Sequence, residues 1–154
     1  MPDRIFDFEK DFAGSLRCIP MAVRLKLDLV GIKLSLRQWS RLDRDQRGRL
    51  LEVPCGGAAD RHTIGAMIEE WVTATGGTID RIDPADSANW SNTNTVPEVV
   101  VLQAKGEDVS APSLSQWRAL TDQQRFALIK LTRPGHENKN FVPAMREFGL
   151  FLAD

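Results

Sequence analysis

The sequence predicts an all-α fold, a small helical body made of two repeated helix-turn-helix units, a connecting helix and a C-terminal helix. Three observations predict it. Ile64, Met67, Ile68, Trp71 and Val72 follow the i, i+3, i+4, i+7, i+8 stripe of a helix with one apolar face. Asp43 with Gln46, and Thr121 with Gln124, have the spacing of capping boxes, in which each side chain satisfies the other residue's free backbone N–H. The chain also matches itself when displaced by 78 residues.

Taken in order, Phe8 and Phe12 are four residues apart, so a short N-terminal helix can bury both on one face. After Ile19-Pro20, Val23-Arg-Leu-Lys-Leu-Asp-Leu29 alternates strictly, as a strand does. The same residues suit a helix from Pro20 to Val30, with Gly31 ending it and Ile32 packing back. Ser35 caps a short helical turn over 35–42, and Asp43 opens a helix to about Val53, stopped by Pro54. Residues 60–75 are the clearest helix, ended by Gly76-Gly77. Residues 78–95, rich in Asp, Ser, Thr and Asn and containing Pro84 and Trp90, read as a long surface loop. A helix follows Pro97. A turn over 113–120 and a capped helix to about Leu131 come next, and a last helix from about Asn140 carries Phe141, Ala144, Met145 and Phe148.

The self-match sets Ser35, Leu36, Gln38, Trp39, Leu42, Gln46, Arg47 and Leu50 on Ser113, Leu114, Gln116, Trp117, Leu120, Gln124, Arg125 and Leu128. The expected organisation is one domain, 1–154, with a repeat at 19–54 and 96–132. Val99–Lys105 does not alternate, yet it stands where 22–28 stands in the first copy, so helix is the reading that suits both. Trp39 and Trp117 read as core anchors. Arg47 and Arg125 read as structural arginines that hold carbonyls or an acid.

Lys+Arg number 20 and Asp+Glu 21, for a net charge of -1, which argues against a nucleic-acid binder. No apolar run approaches the ~20 residues that span a bilayer, and charges fill the N-terminus where a signal peptide needs an apolar core. Two cysteines do not make a disulfide scaffold, so a cytoplasmic chain with free thiols is expected. There is no Walker loop, GxGxxG, HExxH or GxSxG, which favours a binding protein over an enzyme.

Candidate site residues are few. Cys18 and Cys55 flank the first copy and should lie at the same end of its hairpin. Three readings of them stand: buried thiols, a redox pair, or half of a metal site completed by His62, His136 or a second chain. His136 and Glu137 fall in the polar run 133–140, which orders the last helix, meets a partner, or forms a small Arg/Glu/His site with Arg133. Arg37, Arg41, Arg44, Arg47 and Arg49 make the first capped helix basic, as a solvated face or as a dock for an acidic partner. Trp90 is a further partner-binding candidate.

The runs Phe6-Asp-Phe-Glu-Lys-Asp-Phe12, Ser15-Leu-Arg-Cys-Ile-Pro-Met21, Val23-Arg-Leu-Lys-Leu-Asp28 and Gly31-Ile-Lys-Leu34, with Trp39, Pro54-Cys55 and His136–Phe141, resemble the nitrate reductase-associated protein family. The resemblance implies association with assimilatory nitrate reductase, a molybdenum enzyme, as an accessory or maturation factor. The implied partner is the reductase or its maturation machinery. Cys18 and Cys55 belong to the matching signature. The alternative role is handling of zinc, an iron–sulfur cluster or the molybdenum cofactor at that pair.

Overall fold

The computed structural model describes residues 5–13, 16–82, 90–133 and 137–151. His136, Pro84 and the side chains of Phe12 and Glu137 lie outside the described residues, and so do the expectations placed on them. The chain is mostly helical and divides into two compact units, residues 1–87 and 88–154.

In the first unit a 3₁₀ turn, Asp7–Glu9, leads into α1 (Lys10–Ala13). Helix α2 is Met21–Val30, so the alternating stretch is helical. Val23 and Leu27 enter the core, whereas Leu25 and Leu29 are only half-buried, which explains a strand-like pattern on a helix. Gly31 ends α2 at φ 82°, a conformation glycine takes without strain, and its N–H bonds to the carbonyls of Leu27 and Asp28. Ile32 then packs back into the core, as its apolar side chain requires.

The all-α expectation gains one small qualification. Strands β1 (Ile32–Lys33) and β2 (Asp80–Arg81) pair antiparallel, Ile32 opposite Arg81 and Lys33 opposite Asp80.

Helices α3 (Leu36–Arg41), α4 (Arg44–Glu52) and α5 (Ala58–Ala74) complete the unit. Both expected caps form, and Ser35 goes further. Its hydroxyl accepts from Gln38 N–H at 3.0 Å, while Gln38 Oε1 accepts from Ser35 N–H at 3.0 Å, making a second capping box. Gln38 also donates through Nε2 to the carbonyl of Thr78 at 2.9 Å, tying α3 to the chain after α5. Trp39, Leu50, Ile64, Ile68 and Val72 form the centre of the core with α2.

The second unit runs α6 (Glu98–Gly106), α7 (Leu114–Ala119), α8 (Asp122–Lys130), a 3₁₀ turn Glu137–Asn140 and α9 (Phe141–Glu147). Ser113 with Gln116, and Thr121 with Gln124, cap α7 and α8 as Ser35 with Gln38, and Asp43 with Gln46, cap α3 and α4. Gln116 Nε2 donates to the carbonyl of Leu150, just past α9, at 3.2 Å. Val100, Ala104, Trp117, Phe126, Leu128, Phe141 and Met145 are buried.

Candidate functional site

The residues that carry the strongest candidate lie on α3 and at the start of α4. Trp39 points inward and is fully buried, which turns Leu36, Arg37, Ser40 and Arg41 outward. Arg37 and Arg41 are one helical turn apart and share a face. The Asp43 cap then places Arg44 at the first position of α4. Arg37, Arg41 and Arg44 are exposed, and among the described residues no hydrogen bond or ion pair engages them. Leu36 stands beside them, 56% exposed, and exposed Asp43 and Asp45 lie among the arginines.

Arg47 is a different kind of residue. Its Nε donates to the carbonyl of Trp39 at 3.2 Å, Nη1 to that of Leu16 at 3.2 Å and Nη2 to that of Ser40 at 2.9 Å. The Trp39 indole N–H donates to the same Leu16 carbonyl at 2.9 Å. The expected carbonyl-binding role therefore holds, and Arg47 is unavailable to a partner. Arg125 repeats the arrangement in the second unit, bonding the carbonyls of Trp90, Trp117 and Leu120 and the carboxylate of Asp122.

Cys18 precedes α2 and Cys55 follows α4. Both are half-buried and neither forms a disulfide, and Cys55 packs on the core of its unit. Among the described residues no three His, Cys, Asp or Glu side chains gather as a metal site requires. Two thiols are two donors short of the four that close a structural zinc or iron–sulfur site. The described donor set therefore does not fit such a group.

His62 is exposed on α5. It lines a groove of about 300 Å³ with Leu29, Val30, Arg61, Glu69 and Arg81. Helices α2 and α5 approach closely at this point because Gly65 has no side chain. A Cβ there would stand 3.2 Å from Val30 Cγ1.

Trp90, expected on a surface loop, is only 9% exposed and belongs to the core of its unit. Its carbonyl accepts from Arg125 Nε at 2.8 Å, which holds the backbone, while the buried indole N–H has no hydrogen-bond partner among the described residues. A run of Asp, Ser and Asn around one tryptophan conceals that anchoring.

Glu9 and Lys26 are among the buried charged residues that escaped the sequence reading. Glu9 accepts from the N–H of Met21 at 2.9 Å, supplying a carboxylate to the first turn of α2. Lys26 Nζ donates to the carbonyls of Leu50 at 3.0 Å and Leu51 at 2.6 Å, closing the last turn of α4. Both serve the fold. The signal that could have found Lys26 is its place between Val23 and Leu27 on the buried face of α2.

Among the described residues no helix is long and apolar enough to cross a membrane. A family model described as conserved nitrate reductase-associated protein matches residues 5–148. No curated protein and no solved structure matches the chain.

Proposed function

We propose a binding role for this chain, which belongs to the conserved nitrate reductase-associated protein family: it is an accessory protein that docks on assimilatory nitrate reductase, or on the machinery that matures it, through α3 and the start of α4. The observation that carries this reading is the set of unengaged arginines Arg37, Arg41 and Arg44 around exposed Leu36. The chain as a whole carries a net charge of -1, so this local cationic surface is not a by-product of a basic protein. Arginine is enriched at the energetic centres of protein interfaces, where its planar fork meets carboxylates in pairs. A partner surface with acidic residues around an apolar pocket fits it, and the charges would speed and orient encounter. The proposed setting is the cytoplasm, which two cysteines outside any disulfide suit. Trp90, Cys18 and Cys55 are not needed for this surface.

Co-purification with nitrate reductase tests the reading. Tagged protein should retain the reductase at low ionic strength and release it as salt rises, because exposed charge pairs are screened. Failure to retain the reductase, with and without crosslinking, would contradict it.

A further inference from the structure

Helix α6 carries an exposed stripe of a particular symmetry. Val100 and Ala104 face inward and are fully buried. The opposite side presents Glu98, Val101, Leu102 and Lys105, spaced i, i+3, i+4, i+7, which is one face of a helix. Val101 is 40% and Leu102 57% exposed, and Val99 beside them is 46% exposed. Glu98 and Lys105 are exposed, and among the described residues neither is engaged in a hydrogen bond or ion pair.

The stripe therefore reads acid, apolar, apolar, base from one end to the other. Turned end over end, it becomes its own complement. If two copies of α6 lie antiparallel about a two-fold axis, Val101 of one meets Leu102 of the other at the axis. Glu98 of each then meets Lys105 of the other at both ends. Such isologous contacts, in which one patch is used by both subunits, are the commonest way soluble proteins associate. A parallel arrangement would instead oppose Glu98 to Glu98 and Lys105 to Lys105.

We propose that the α6 stripe is a self-association surface and that its occupant is the α6 of a second copy of this chain. The contact is small beside the ~1,200–2,000 Å² of stable interfaces, so the dimer is weak and concentration-dependent. All four residues of the stripe belong to the second unit.

Sedimentation equilibrium of the full chain, from about 10 μM to about 0.5 mM, spans the range expected for so small a contact. The apparent mass should rise from 17.2 kDa toward twice that value. Glu98→Lys alone and Lys105→Glu alone should each weaken association about tenfold or more, since each places like charges together. The double variant Glu98→Lys, Lys105→Glu should restore it, because the reversed stripe is again self-complementary. Circular dichroism establishes that each variant keeps its helices. A monomer at every concentration overturns the proposal, as does a dimer indifferent to the single reversals or not restored by the double one. If the single reversals abolish reductase binding while the mass never changes, the stripe belongs to a different partner, and self-association is equally overturned.

Discussion

Arg47 donates from Nε to the carbonyl of Trp39 at 3.2 Å while its guanidinium lies 5.8 Å from the centre of that residue's ring. The pair holds the turn between α3 and α4, because the same arginine also bonds the carbonyls of Leu16 and Ser40. On α8 and α7, Arg125 likewise bonds the carbonyl of Trp117, through Nη1 at 3.3 Å. We propose that one helix-turn-helix device is used twice, and that its surface has diverged between the copies: Arg37 and Arg41 on α3 are replaced by Ser115 and Ala119 on α7.

Removing the arginine should therefore cost more than removing a surface charge. Arg47→Ala should destabilise the protein by about 2 kcal/mol, and Arg125→Ala by about 3 kcal/mol, since hydrogen bonds to charged groups contribute ~1.5–3 kcal/mol each but not additively. Arg125 is the more buried of the two, which sets the order. Arg→Lys should rescue little, because an ammonium cannot reach several carbonyls in a fixed fork. Urea denaturation of the full chain reads both, and equal stability of wild type and variants would refute the role.

Much of this architecture is legible before any coordinates exist. The capping boxes announce the starts of α4 and α8, and the shared Trp39 and Trp117 announce the core, because both depend on residues close in sequence. Trp90 is misread because its cover comes from elsewhere in its unit, where Arg125 fixes its carbonyl. Lys26 is missed because its partners, Leu50 and Leu51, lie 24 and 25 residues away. The strands escape notice because two residues are too few to show a period. Of the candidate site residues, Arg37, Arg41 and Arg44 could be named from the basic run, but Leu36 could not. Its exposure follows from Trp39 taking the buried side of α3.

Lys26→Met keeps the apolar stem and removes the ammonium. It should destabilise by about 1–3 kcal/mol, the cost of leaving buried carbonyls without a donor. The same denaturation curve measures it, and a neutral or stabilising result would mean that other donors take over the ends of those carbonyls.

Gly48 lies inside α4, and a Cβ at that position would meet nothing within 4 Å. Gly48→Ala should stabilise the protein by about 0.5–1 kcal/mol through helix propensity. Gly65→Ala, where the added atom crowds Val30, should gain less or lose. Thermal unfolding of the two variants side by side checks the contrast, and a larger gain at Gly65 would contradict the close approach of α2 and α5.

The docking surface proposed for α3 and α4 is tested most directly by titrating purified nitrate reductase with the wild-type chain and with the Arg37→Glu, Arg41→Glu, Arg44→Glu variant. The variant should bind at least about tenfold more weakly, since reversed charges repel an acidic partner, while its circular dichroism stays that of the wild type. Equal affinity would contradict the account, and the contact would have to be sought away from these arginines.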